Sequence, residues 1–492
     1  MDLDHDACYR ALKTRDIRFD GRLFVAVRTT GIYCRPVCPA RIPLSKNVIF
    51  YATAAAAQQK GFRPCLRCRP ETAPDLARWR GTSNSVSRAL SLIEMGALDT
   101  GDLEHLATRL GLGERQLRRL FQKHLGASPM SVASTRRVLL AKQLIHESFL
   151  PLTEIAFASG FGSIRRFNEV FKQLFKRSPS AIRRSLVADG ESRCGNEVRV
   201  LLRYKAPYDW ESMINFLKMR AIPGIETICD DAYCRTVEIG GKRGVVRVRS
   251  TSSNALEARV SFPQLSALPI IIARLRRVFD LAADPETIEN DLAEDSFLAA
   301  SIRKRPGLRV PGGWDGFELA IRAVLGQQVS IVAAVKLAEK LVLRYGQKLA
   351  PSEGALDGLT HVFPRSEQLA GVDLSVLGMP RNRANALSAI ARAVTADPDI
   401  FGARRSLEEA IEQLKKVAGI GESTAQYIAM RALREPDAFP ARDLALLRAL
   451  AHGTGVRPTA QALLVRAEVW RPWRAYAAQH LWASCAEEKD VR

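Results

Sequence analysis

Two short-spaced cysteine pairs, Cys34-x3-Cys38 and Cys65-x2-Cys68, constrain the fold of the N-terminal part of the chain. The 26 residues between the pairs must loop back for the four sulfurs to meet. Four thiolates so gathered make a tetrahedral Zn²⁺ site. Zinc keeps such thiols ionised, which suits a structural knot and a sulfur nucleophile equally, so the spacing leaves both readings open. Met1–Asp6 is acidic and lacks the basic-then-apolar layout of a signal peptide, and no run of about 18 apolar residues follows. The chain is therefore expected in the cytoplasm and off the membrane, where nine cysteines do not form a disulfide framework.

A length of 492 residues implies several domains. Lys and Arg outnumber Asp and Glu 73 to 52, a net charge of +21. Such an excess is either a solvated basic surface or the footprint of a polyanion partner, most commonly DNA or RNA. Residues 84–185 carry 16 Lys and Arg against 8 Asp and Glu, between polar linkers at Arg80–Asn84 and Ala188–Arg193. Within this stretch Leu103–Leu125 and Leu152–Phe175 are near-repeats, each a short helix, a glycine-containing turn and a basic helix, joined by a long helix near Met130–His146. They read as two helix-turn-helix units. Arg115, Gln116, Arg118, Arg119 and Lys123 on one basic helix, and Ser163, Arg165, Arg166, Asn168 and Lys172 on the other, are suited to phosphates and base edges, although either helix alone could be a solvated face.

Further on, Val198–Leu202 and Gly244–Val248 read as strands with a helix near Trp210–Arg220 between them, and the pattern turns helical from about residue 286. Gly419-Ile420-Gly421 lies between two helical stretches. It is a tight turn whose glycines also let backbone N–H groups approach a DNA phosphate. Asp443, after Phe439-Pro440-Ala441-Arg442, would by itself be read as a helix cap.

Three resemblances turn these features into a function. Phe24–Cys38 and Gly61–Cys68 resemble the N-terminal domain of the Ada adaptive-response family over about residues 5–75. That likeness implies that Cys34 is both a zinc ligand and the irreversible acceptor of a methyl group from a DNA methylphosphotriester, with Cys38, Cys65 and Cys68 as the other ligands. Methylation would remove one of two units of negative charge on the zinc–thiolate cluster and so favour DNA binding. Residues 84–185, with Gly160-Phe161 and Phe175-Lys176-Arg177-Ser178-Pro179, resemble the AraC-type DNA-binding domain. Residues 197–487 resemble the 3-methyladenine DNA glycosylase II family, AlkA. The motifs are Ala206–Trp210, Arg305–Gly312, Ile321–Ser330, Gly419–Tyr427, Asp443 and Trp470–Tyr476.

The fold these likenesses imply is multidomain α+β. It comprises a zinc-bound α/β domain (1–80), a double helix-turn-helix (84–187), a TATA-binding-protein-like α/β domain (196–285) and an all-α helix-hairpin-helix domain (286–492). By the AlkA likeness Asp443 is the catalytic carboxylate, and Phe216, Gln327, Tyr427 and Trp482 line the pocket for a flipped base. Gly419, Gly421 and Gln328 contact DNA, and a monovalent cation is expected at the hairpin turn. Aromatic rings there would stack on a cationic base. Ser423 and Leu444 stand where the best-known member carries Trp and Tyr, and Gln328 where it carries a Leu wedge. Ser423 also aligns with the lysine of related strand-cutting glycosylases, so base removal without lyase chemistry is expected.

The sequence thus points to a bacterial alkylation-repair protein and transcriptional regulator, monomeric, working at the nucleoid on damaged and promoter double-stranded DNA, with RNA polymerase a further partner. The alternative is a methylation-responsive transcription factor whose glycosylase half is an inactive DNA clamp. No Pro-Cys-His-Arg motif is present, so O6-methylguanine transferase activity is not expected.

Overall fold

The computed structural model describes residues 4–16, 19–73, 84–148, 150–184, 197–252, 254–350, 353, 356–402, 406–454 and 457–490. The linker residues Arg80–Ser83 and Ala188–Arg193 lie outside the described residues; Asn84, read as linker, instead opens a helix, Asn84–Glu94. The chain divides into two compact units, Met1–Tyr204 with Thr251–Ala273, and Lys205–Ser250 with Arg274–Arg492. Among the described residues no helix is long and apolar enough to cross a membrane.

The first unit begins with the helix His5–Lys13 and four strands, β1 (Phe24–Val27), β2 (Ile32–Cys34), β3 (Val48–Tyr51) and β4 (Arg63–Pro64), in the order β3-β1-β2-β4. β4 runs parallel to β2 and the other pairs are antiparallel. Side chains alternate across this sheet with the period of two that strands impose. Phe24, Ala26 and Tyr33 pack on one face with Ala57, while Val25, Val48 and Phe50 pack on the other with Cys8 and Leu12 of the first helix.

The two expected helix-turn-helix units follow, as Leu103–Arg109 with Glu114–Leu125, and Leu152–Ala158 with Ile164–Phe175, joined by the linking helix Pro129–Glu147. Each second helix buries residues at i, i+4 and i+8, Leu117-Phe121-Leu125 in one and Phe167-Phe171-Phe175 in the other, and turns its polar side outward. In the second unit the turn needs glycine at 160. Its φ is +87°, and an added Cβ would lie 2.3 Å from a carboxylate oxygen of Asp99, which itself pairs with Arg136 at 3.0 Å.

Five more strands come after residue 196: β5 (Glu197–Arg203), β6 (Glu226–Cys229), β7 (Ala232–Ile239), β8 (Lys242–Ser250) and β9 (Ala255–Ser261). β5 pairs with β9 in the first unit, and β6, β7 and β8 form an antiparallel meander in the second. The sequence reading found β5, part of β8 and the intervening helix, Trp210–Arg220. It missed β6, β7 and β9. β7 is buried along six consecutive residues, including Arg235 and Thr236, so it shows no alternation of polar and apolar positions. The remainder of the second unit is helical, as expected. It is centred on Gly316–Leu325, whose Leu319, Ala320, Ile321, Val324 and Leu325 are all buried.

Candidate functional sites

At the end of β2 the chain places Cys34, and the turn after β4 returns Cys65 and Cys68 to it. The hydrogen bond Cys65 N to Tyr33 O, 3.0 Å, fixes that return. The sulfurs of Cys34, Cys38, Cys65 and Cys68 all lie within 4.8 Å of one another. Four bonds of about 2.3 Å in a tetrahedron need sulfurs roughly 3.8 Å apart, so the cluster fits Zn²⁺.

The four thiols are not equivalent. Cys38, Cys65 and Cys68 are buried, whereas Cys34 is half-exposed. Arg35 N donates to Cys68 Sγ at 3.4 Å and Arg67 N to Cys65 Sγ at 3.3 Å, and Cys38 accepts from the Ala40 backbone. Cys34 accepts no backbone N–H among the described residues. An N–H···S bond draws electron density from sulfur, so Cys34 keeps both the access and the lone pair that a nucleophile needs. The Arg35 guanidinium is held by Asp20 through Nε at 2.8 Å, while Arg67 is exposed.

A buried ion pair, which the sequence reading missed, ties this centre to the linking helix. Lys142 is fully buried there, and its Nζ donates to Glu71 at 2.6 Å and to the Cys65 carbonyl at 2.9 Å. Arg69 extends the network to Glu71 and to Glu147, at 3.3 and 2.6 Å. A signal was present, because Lys142 falls on the same helical stripe as the buried Val138, Ala141 and Ile145.

The helix-turn-helix candidates Arg115, Gln116, Arg118, Arg119 and Lys123, and Ser163, Arg165, Arg166, Asn168 and Lys172, lie on or cap the outward helices. All ten are exposed. Glu114 and Glu169 engage Arg118 and Arg165 at 2.9 Å each, surface pairs that phosphates could displace.

The second unit holds a deep cleft. Phe216, Gln327, Gln328, Ser423, Tyr427, Asp443, Leu444 and Trp482 all line it. Asp443 caps the helix Leu444–Thr454, with Oδ1 accepting from Ala445 N and Leu446 N at 3.0 and 3.1 Å, and also from Trp482 Nε1 at 3.0 Å. Oδ2 accepts nothing among the described residues, which leaves one oxygen of a rigidly held carboxylate for a ligand. The rings of Tyr427 and Trp482 meet edge-on, 6.3 Å apart. Gln327 braces the hairpin, its amide donating to Gly419 O at 3.1 Å and to Thr424 Oγ1 at 3.0 Å. Gly419 has φ +91°, and a Cβ there would lie 2.1 Å from that of Ala386, while Gly421 caps the helix Glu422–Ile428. Gln328 is exposed at the tip of its turn with φ +55°, a conformation rare for a side-chain-bearing residue. Ser423 is half-buried, and Leu444 is 53% exposed. Arg220 and Arg431 also line the cleft, and the sequence reading missed both.

Four family models match in order: the metal-binding domain of Ada (residues 7–71), a helix-turn-helix domain (106–185), the AlkA N-terminal domain (199–315) and the HhH-GPD superfamily of base excision DNA repair proteins (321–475). A Mycobacterium tuberculosis protein named a probable bifunctional transcriptional activator/DNA repair enzyme AlkA is 41% identical over 98% of this chain and 96% of its own length. This chain belongs to that bifunctional activator/repair AlkA family. DNA-3-methyladenine glycosylase 2 of Escherichia coli is 34% identical over 57% of the chain and 95% of its own length. The bifunctional activator/repair enzyme Ada of the same organism is 40% identical over 26% of the chain and 34% of its own. A solved 3-methyladenine DNA-glycosylase from Archaeoglobus fulgidus superposes with a TM-score of 0.52 at 23% identity, over 58% of this chain and 98% of its own, a likeness of fold. The family thus joins an Ada-type zinc domain and helix-turn-helix to an AlkA-type glycosylase, and its partner is double-stranded DNA.

Proposed function

We propose that the chain is a DNA-alkylation repair protein and transcriptional regulator with two chemistries in separate sites. In the first, a Cys34 Sγ lone pair attacks the methyl carbon of a DNA methylphosphotriester. The C–O bond breaks, the phosphodiester leaves as an anion and the sulfur becomes a thioether. Zinc bound at the four sulfurs would keep them ionised at neutral pH. A thioether is a poor leaving group, so each molecule reacts once. The loss of one negative charge then favours binding of the helix-turn-helix surface to promoter DNA.

In the second, a flipped alkylated base enters the cleft beside Tyr427 and Trp482. Asp443 Oδ2 faces the sugar as positive charge develops at C1′, the C1′–N bond breaks, and water adds at C1′. No lysine stands at position 423 to form a Schiff base, so the product is an abasic site in an intact strand. A monovalent cation, when bound, would be held by the Val417–Gly421 turn and would supply positive charge for binding the DNA backbone. Two helix-turn-helix units in one chain need no second copy to read two groove segments, which supports a monomer, and an activator so placed would contact RNA polymerase.

The observation that carries this reading is Asp443, held by three donors on one oxygen beside two aromatic rings, with the other oxygen uncommitted. The test is incubation of the full chain with methylated duplex. Released 3-methyladenine and an intact strand are expected. No release would overturn the glycosylase assignment, and strand cleavage would overturn the single-step one.

A further inference from the structure

Two guanidiniums, those of the half-buried Arg220 and the buried Arg431, face the base cleft without a carboxylate partner among the described residues. Arg431 is 5% exposed and lies on the π-helical turn Ala429–Leu433. Its Nε donates to Pro311 O at 2.7 Å and its Nη1 to the Tyr427 hydroxyl at 2.5 Å, while Nη2 is uncommitted among the described residues. Among the described residues the Arg220 side chain donates only to the carbonyl of Phe216, at 3.5 Å. The two guanidinium carbons stand 3.8 Å (Arg220) and 4.3 Å (Arg431) from the Phe216 ring centre, closer than an approach in the ring plane permits. The Phe216 π-system, which a cationic base would use, therefore already carries the protein's own cations. Burial pulls the Arg431 guanidinium down to about 10, with repulsion from Arg220 and Arg434 adding to it, so it remains charged at neutral pH.

Two other arginines of this unit, the buried Arg235 and the half-buried Arg322, are treated differently. Arg235 pairs with Glu318 at 2.8 Å, and Arg322 with Glu226 at 2.6 Å. An unpaired buried cation is costly to keep, and a ligand that brings negative charge would offset the cost. The glycosylase reaction supplies such a ligand only for some lesions. When C1′–N9 of a neutral purine breaks, the electron pair stays on the base, which departs as an anion until a proton released by the attacking water joins it. A 7-alkylpurine starts as a cation, takes the same pair and departs neutral.

We infer that Arg431, assisted by Arg220, determines specificity by stabilising the anionic leaving group of neutral purine lesions such as hypoxanthine. The same charge opposes entry of cationic lesions. The inference rests on the glycosylase reading above and deepens it.

The test is single-turnover release of hypoxanthine and of 7-methylguanine from matched duplexes by the full chain, wild type, Arg431→Met and Arg220→Met. From the effect of removing one donor at an oxyanion site, Arg431→Met is expected to lower the ratio of hypoxanthine to 7-methylguanine release about 10²-fold. Arg220→Met is expected to shift the ratio the same way by about tenfold. A ratio unchanged from wild type overturns the inference, whether both rates fall together or neither moves. If Arg431→Met loses its thermal transition, Arg220→Met decides, since that side chain bonds only its own helix. Wild type that releases 7-methylguanine but no hypoxanthine overturns this inference alone. Wild type that releases neither base overturns the glycosylase reading itself.

Discussion

The zinc centre and the base cleft use charge with opposite signs. In the first, four sulfurs gather negative charge, and Arg35 beside them is occupied by Asp20. In the second, Arg220 and Arg431 leave positive charge unpaired, with Asp443 held across the cleft by three donors. A site that is consumed can change its charge permanently and so can signal. A site that turns over must return to its starting charge, so its field must be built into the fold. The comparison explains why a regulator would be wired to the zinc centre rather than to the glycosylase.

Cys34→Ser should have the largest effect. Methyl uptake from methylphosphotriester DNA should vanish, while base release stays within a few-fold of wild type. Peptide mass spectrometry that places the methyl on Cys38, Cys65 or Cys68 would show that exposure and N–H···S bonding do not select the nucleophile.

Next in size is Lys142→Met. It leaves the buried Glu71 with Arg69 at 3.3 Å as its remaining cation, and losing one partner of a buried pair costs about 3–5 kcal/mol. Urea unfolding should show the first unit weakened by that amount with base excision preserved. An unchanged transition would mean that Lys142 does not hold the zinc centre to the linking helix.

Ser423→Trp sharpens the account of the cleft. A well-placed ring attracts a cation by about 0.5–2 kcal/mol, so 3-methyladenine release should rise relative to hypoxanthine by about 2–30-fold. If all substrates fall together, the indole blocks the cleft. An unchanged ratio at an unchanged rate would show that position 423 does not read the base.

The smallest effect is the methylation switch. One unit of charge near DNA should tighten promoter binding by a few-fold at low salt and less at about 0.15 M, where screening shortens its reach to roughly 8 Å. Equal affinities of methylated and unmethylated protein at both ionic strengths would remove the charge mechanism.

Much of this was legible in the sequence where local pattern and chemistry coincide. The cysteine spacing announced the metal site, and the repeated glycine turn between a short helix and a basic one announced both helix-turn-helix units. The Asp443 region was legible only in its family context, since a helix-capping Asp is common and this one also caps a helix. What stayed hidden depends on partners distant in sequence. Lys142 meets Glu71 across 71 residues, and Arg431 meets Pro311 across 120. Strands β7 and β9 bury Arg235 and Glu257 against charges elsewhere, so no alternation marked them.

If two independent chemistries share one chain, Asp443→Asn should silence one and spare the other. Asn keeps the size and the capping oxygen but removes the charge that stabilises the developing sugar cation. With one preparation and one methylated duplex, methyl uptake on Cys34 and release of 3-methyladenine are measured together. The account predicts one methyl per chain, as in wild type, with base release down by about 10²–10³-fold or more. Release within a few-fold of wild type, or loss of both signals in a protein that still folds, would contradict it.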